Sequence, residues 1–474
     1  MAGIDTATGV QFASGQAYAD SFMTNFMVPV LADARNNSSV LWSMLKKQPH
    51  TPVSGRFIVF PVRFGRNTGS NAVRESYTAQ SSPDLPDPGA QGGKSYSFAT
   101  RTMYGRVKLD GPTIRRGKTN GGAFIPISEL EMQGIIDDMT VECNRMAHND
   151  GSGRIAEVSS VSTTTITIRM NQSIEGVPTV STPIADKYFE VGQRVAFCSA
   201  GGTIRTRATG SQTGLYVIAV TSTTIQLALT PGGSAVDVTG DSSGVTAGDW
   251  IVRISNDTAS LTSSGFRSEP MGFGGIFCDD GALDGNGISS NAQQSGVDDF
   301  STTAITSAGF QGLAATSANP FNRAVVLDNG GSGSRPLTEE LLQQAFSDAE
   351  EINNANISIL LSAYPAYNAY VKTLTPDKRY NDTLELKGGH KMLSFNGVAW
   401  VKDRFCYKNR VYMPNLEEFT VYEVEPLQPL AAFDVPRWER LANKDAYWAG
   451  WVTSYNLGVN VRNRCGAVLT ELAA

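Results

Sequence analysis

Residue types that could carry chemistry are present in this chain, but their spacing does not assemble them into a site. Gly117-Lys118-Thr119 has the ending of a phosphate-cradling loop, yet such a loop needs a glycine at position 112, which is proline; Gly111 is one place off. Asp284, Asn286 and Gly287 echo a calcium loop whose first and last ligands would be Ala282 and Gln293, neither of them a carboxylate. The three histidines, His50, His148 and His390, are far apart and form no H-x-x-x-H pair for zinc. Cys143, Cys198, Cys278, Cys406 and Cys465 are scattered without a C-x-x-C pair, which argues against a zinc site and a disulfide framework and implies a reducing compartment. No catalytic set, metal or cofactor is expected, and an enzyme is not the favoured class.

The elements that carry these residues are more informative. Residues 126 to 149 hold the strongest helical pattern: Ser128 and Glu131 form a capping-box pair, and Glu129 lies in the first turn, where the helix dipole favours an acid. Met132, Ile136, Met139, Cys143 and Met146 recur at helical spacing, while Asp137, Asp138, Glu142 and Arg145 fall on the other side, expected to face solvent. Asn149-Asp150-Gly151 is a stop signal. With 41% hydrophobic residues the chain can bury real cores, and its 47 glycines point to many turns and much strand. A net charge of −6 excludes the basic footprint of a sequence-reading nucleic-acid binder. No stretch approaches the roughly 20 apolar residues of a membrane span, and no secretion signal opens the chain, so it is expected to be soluble.

In chain order, residues 1 to 50 read as an extended arm and a broken helix with Phe22, Phe26, Leu41 and Trp42 as apolar positions. Two strand-like runs follow, Arg56 to Arg63 and Tyr96 to Asp110, joined by about thirty polar residues, longer than a compact domain ordinarily tolerates outside a binding loop. After the helix the chain repeats itself. Val158 to Ile168 matches Val217 to Leu227, and Val191-Gly192-Gln193-Arg194-Val195 matches Ala247-Gly248-Asp249-Trp250-Ile251. Two such β units predict one inserted barrel over 155 to 262 with internal pseudo-symmetry. Residues 263 to 335 read as irregular loops. Leu337-Thr338-Glu339-Glu340 then starts a helix, a short strand over 357 to 361 and a helix opened by Pro365 make an α/β unit, and the remainder is sheet.

This order of parts resembles the major capsid protein of tailed double-stranded DNA bacteriophages, the HK-ninety-seven-type fold. The resemblance is carried by Val62-Arg63-Phe64-Gly65-Arg66-Asn67, Asn149-Asp150-Gly151-Ser152-Gly153, Leu327-Asp328-Asn329-Gly330-Gly331, Pro376-Asp377-Lys378-Arg379-Tyr380, Leu393-Ser394-Phe395-Asn396-Gly397-Val398 and Val459-Asn460-Val461-Arg462-Asn463-Arg464. It spans nearly the whole chain apart from the barrel. It implies an α+β fold with an N-arm at 1–50, an E-loop hairpin at 51–110, a P domain with its spine helix at 111–154, the inserted barrel at 155–262, an A domain at 263–435 and C-terminal P-domain strands at 436–474.

The function the resemblance implies is a coat subunit that assembles in the host cytoplasm, as hexamers and pentamers, into the icosahedral shell of a virion around packaged DNA. Its working residues would be intersubunit contacts of the arm and hairpin: Phe22, Phe26, Trp42, Arg63, Arg66, Arg74, Lys94, Arg101 and Arg106. The expected partners are identical copies, a portal protein, a separate scaffolding protein, since the arm starts near Met1, and a decoration protein on the barrel. A mildly acidic wall suits DNA that is driven in rather than attracted. Some family members crosslink a loop lysine, and Lys94 lies in that region, but nothing marks a partner for it. Two other readings stay open: an encapsulin-type compartment of the same fold, and a β-rich adhesin or tail component.

Overall fold

The computed structural model describes residues 39–49, 51, 57–67, 69–70, 87–117, 127–151, 153–169, 185–199, 205, 214–239, 244–254, 269–277, 310–311, 313, 320–322, 324–327, 329, 334–373, 383–385, 391–430, 438–441 and 444–473. A short helix α1 (Val40–Met44) runs into strand β1 (Lys46–Gln48), followed by β2 (Phe57–Arg63), β3 (Gly93–Ala99) and β4 (Arg101–Asp110). Helices α2 (Gly111–Gly117) and α3 (Ile127–His148) come next. The hairpin is shorter than its sequence suggests. β2 pairs antiparallel with β3 from Phe57↔Ala99 to Arg63↔Gly93, whereas β4 leaves it and pairs with a distant strand. The break falls at Thr100, so only Tyr96–Ala99 of the second apolar run belongs to the hairpin.

The inserted barrel closes as predicted, from β5 (Arg154–Ser162), β6 (Thr165–Arg169), α4 (Ala185–Tyr188), β7 (Arg194–Cys198), β8 (Leu215–Val220), β9 (Thr224–Ala228) and β10 (Trp250–Arg253) in the order β10-β5-β6-β9-β8-β7. The sequence repeat is a structural one. Each hairpin carries its bulge at the matched place, between Val158 and Ser160 in one unit and between Val217 and Ala219 in the other. Val158 bonds through its N to Asp249 O (2.9 Å) and through its O to Gly248 N (2.8 Å); Val217 does the same with Gln193 O (2.9 Å) and Gly192 N (2.7 Å). Gly192 and Gly248 sit at φ of 93° and 90°, the left-handed region that glycine enters without penalty. Each unit therefore completes the other, and Ile155, Val158, Ile166, Phe197, Val217, Ile225 and Ile251 fill one shared interior.

The remaining elements are α5 (Phe273–Ile276), β11 (Val325–Leu327), α6 (Glu339–Asn353), β12 (Leu360–Ser362), α7 (Tyr364–Thr373), β13 (Thr383–Glu385), β14 (Lys391–Phe395), β15 (Val398–Lys402), β16 (Val411–Pro414), β17 (Phe419–Pro429), β18 (Glu439–Arg440), β19 (Ala446–Val459) and β20 (Gly466–Leu469). Thr338 caps α6 by accepting from Leu341 N at 3.3 Å. Asn396 and Gly397, at φ of 50° and 77°, make the tight turn between β14 and β15. The expected α/β unit is there: β12 leads into α7, and β12 pairs in parallel with β15. Seven strands form the sheet β11-β20-β16-β12-β15-β14-β13.

β17 belongs with β1, β4, β18 and β19 in a five-stranded sheet, whereas β20 inserts between β11 and β16 of the other sheet. Gly466, at φ 114°, makes that switch, and an added Cβ would lie 2.0 Å from Met413 O. The apolar run of 447–469 is thus cut into strands of two sheets, which ties them together.

Helix α3 crosses the five-stranded sheet. Met139 packs with Ala449 and Trp451, and Gly105 lets the helix come close, since a Cβ there would meet Met139 Sδ at 2.5 Å. Farther along, Cys143 and Ala147 join a core of Leu41, Trp42, Phe273, Phe277, Phe419 and Tyr455. The face expected to be solvated is so at Asp138, which is exposed, but not at its C-terminal end. Arg145 is only 3% exposed, because the barrel and the segment around Glu269 cover that side.

Candidate assembly surface and its anchoring

Strand alternation splits the β2–β3 hairpin into two unlike faces. Inward, Val62 and Tyr96 pack on Phe321, Phe60 stacks on Tyr422 with ring centroids 6.0 Å apart, and Tyr96 Oη donates to Asn322 Oδ1 at 3.1 Å. Burial pushes the Tyr96 hydroxyl far up, so it stays a neutral donor. Outward, Phe57 (36% exposed) and Val59 (54% exposed) share a face with Arg63. Phe64, still 40% exposed, lies on Phe321 at 4.8 Å, with Lys94 Nζ 5.4 Å from its ring. Gly65 and Gly92 touch where the strands separate: an added Cβ on Gly65 would meet Gly92 N at 2.7 Å.

The nine expected contact residues are placed unequally. Arg63 and Arg66 are exposed at the hairpin's far end, with Lys94 half-buried beside them. Arg106 is exposed on β4, its guanidinium 4.5 Å from the Trp448 ring. Arg101 and Trp42 are spent inside the chain instead. Arg101 is buried at the start of β4 opposite Tyr455, and Trp42 packs 4.9 Å from the Tyr455 ring in the central core. The reason is that α1 is already folded against α3, so its large ring fills a hole in this subunit. Phe22, Phe26 and Arg74 lie outside the described residues.

Below the hairpin, buried polar groups hold the arm's foot in place. Ser39 does not cap α1 with its side chain; the first amides of α1 are taken by distant groups, Leu41 N by Asp403 Oδ2 (3.1 Å) and Trp42 N by Asn144 Oδ1 (2.9 Å). Asp403 also accepts from Asn144 Nδ2 (3.1 Å) and Phe405 N (2.9 Å), and His148 Nε2 lies 3.1 Å away. Burial alone would raise the Asp403 carboxyl; His148, with the Phe405 and Asn144 donors, outweighs it and holds the group far below the usual carboxylate range. One turn away, Arg145 donates Nε to Glu142 (3.0 Å) and Nη1 to Glu269 (3.3 Å), and Arg253 from β10 pairs with the other Glu142 oxygen. Burial would raise Glu142 too, but Arg145 and Arg253 win and lower it. Asn144 and His148, four apart on α3, were a visible signal for a shared partner; Asp403, some 250 residues on, was not.

Among the described residues no three His, Cys, Asp or Glu side chains are grouped to hold a metal, and no helix is long and apolar enough to cross a membrane. Residues 278–300, with the calcium-like spacing, lie outside the described residues, as do Lys118 and Thr119. Gly240-Asp241-Ser242-Ser243-Gly244 has the G-x-S-x-G spacing of a nucleophile elbow, but it lies in the connection between two barrel strands, β9 and β10, with 240–243 outside the described residues.

No protein-family model matches the sequence, and no curated protein is significantly similar to it. Among solved structures it is similar to a chain of the cyanophage A-1(L) capsid asymmetric unit, with 10% identity and a TM-score of 0.48, over 96% of this chain and 98% of that one. It is similar to the capsid of Myoviridae phage XM1, with 8% identity and a TM-score of 0.41, over 94% and 97% of the two chains. The SrpI encapsulin of Synechococcus elongatus is also similar, with 8% identity and a TM-score of 0.41, over 96% and 97%.

Proposed function

We propose that this chain is the major capsid protein of a tailed double-stranded DNA bacteriophage, a non-catalytic subunit that builds the icosahedral shell as hexamers and pentamers. The observation that carries the reading is the β2–β3 hairpin: a two-stranded sheet with Phe57 and Val59 turned outward. Two strands alone are marginal in water, and an outward apolar stripe on such a ribbon is best stabilised by another surface. Identical copies related by rotation supply that surface to every subunit. Arg63 shares the face of the stripe, and Arg66, Lys94 and Arg106, with Phe22, Phe26 and Arg74, are assigned to intersubunit contacts as well. The barrel takes a decoration protein, a separate scaffolding protein and a portal assist assembly, and the packaged DNA is held without specific contacts.

Purified chain should sediment as very large closed particles visible by electron microscopy. Replacing Phe57 and Val59 together by Asp should leave capsomer-sized or smaller species with an unchanged circular dichroism spectrum. Normal particles from that variant would sink the reading. Closed particles that enclose an enzyme and no DNA would instead assign the chain to the encapsulin type.

A further inference from the structure

The turn after β15 touches three bodies at once. Asp403 holds α1 and α3 through the bonds to Leu41 and Asn144, with His148 Nε2 3.1 Å away, and its own N donates to Ser362 O of β12 at 3.1 Å. The next residues reach the barrel. Arg404 Nη2 donates to Asp186 O (3.1 Å) while Lys187 Nζ donates back to Cys406 O (3.0 Å), a reciprocal pair of bonds between the turn and α4. Between them Phe405 enters the barrel's own interior, 6.2 Å from the Tyr188 ring, where Val141 of α3 also packs. The barrel's apolar filling is therefore completed by a residue whose backbone N is fixed to Asp403.

We propose that the Asp403–Cys406 turn is a coupling joint, through which the seating of the N-terminal segment on α3 and the position of the inserted barrel are energetically linked. The two bonds to α4 and the Phe405 plug cannot be rearranged on one side without moving the other, because successive residues of one tight turn serve both. Whatever displaces α1 is felt at α4, and whatever loads the barrel is felt at Leu41 and Trp42. Linkage makes the effect equal in both directions.

The test is hydrogen exchange of the full chain, read by mass spectrometry, from both ends. Asn144→Ala removes the acceptor of Trp42 N and a donor to Asp403 but touches nothing on the barrel. The joint predicts at least about tenfold faster exchange at 41–42 and also at 188–189 and 405–406, with the β16 and β20 amides unchanged. Arg404→Ala combined with Lys187→Met cuts only the barrel side, and the joint predicts faster exchange at Leu41 and Trp42. Loosening confined to the altered side, or a uniform rise across every sheet, overturns the proposal. Should Asn144→Ala fail to fold, the barrel-side pair decides alone, since both of its side chains lie toward the surface.

Discussion

Arg145 tests whether the buried charges on α3 are understood. Its guanidinium serves two carboxylates: Nε faces Glu142, and Nη1 and Nη2 face Glu269, with the side chain 4% exposed. Two acids and two arginines, counting Arg253 on Glu142, balance to zero. Arg145→Met leaves Glu142 with Arg253 but leaves Glu269 with only the Asn149 amide at 2.8 Å, a buried and uncompensated anion. Breaking such a pair from one side costs roughly 3–5 kcal/mol. Replacing both partners, Arg145→Met with Glu269→Leu, removes the stranded charge and forfeits one Asn149 bond worth about 1 kcal/mol, so the double variant should recover at least half of the loss. A 474-residue, multi-sheet chain need not unfold in one step, so the urea dependence of amide exchange in α3 is the right assay. Arg145→Met lying within ~0.5 kcal/mol of the parent, or a double variant no better than the single, would mean that Glu269 is not stranded by the loss of Arg145.

Three further outcomes are expected. The Asp403 carboxyl is depressed in the folded chain, so its contribution is complete above the ordinary carboxylate value of about 4 and is lost as pH falls through and below it; Asp403→Asn should flatten the stability profile between pH 5 and 3, measured by thermal midpoints. Gly466→Ala forces a Cβ to within 2.0 Å of Met413 O at a left-handed φ, and about 2–5 kcal/mol of strain and overpacking should show as a lowered urea midpoint or insoluble chain. Burial pushes the Cys143 and Cys465 thiols up to about 12, so iodoacetamide at pH 8 should label neither in the native chain and both in urea, read by peptide mass spectrometry.

Features set by local pattern were legible in the residues. The capped helix at 339, the long helix ending at Asn149 and the two-unit barrel all follow from spacing or repetition within a few dozen positions. What failed depended on distant company. Arg145 and Glu142 sit on the polar side of α3, and only the barrel's Arg253 and the segment at Glu269 turn the C-terminal end of that side into an interior. Trp42 looked like an anchor for a neighbour because Asn144 and Asp403, which fix its helix, are 102 and 361 positions away. The jump of β20 into the other sheet rests on the conformation of Gly466, which a strand-like run of apolar residues around it concealed. Among the contact residues, Arg63 and Arg106 kept their exposure because they lie on strands whose alternation turns them outward.

The two ends of the barrel are strand neighbours: β5, which leads in, pairs with β10, which leads out, through Trp250↔Glu157 and Ile251↔Ala156. A host chain thus has to part by little more than one inter-strand spacing, about 5 Å, to receive the whole module. Entry and exit of the module therefore lie side by side, while Arg253 on Glu142 and Phe405 in the barrel interior make its seat on the scaffold a fitted one.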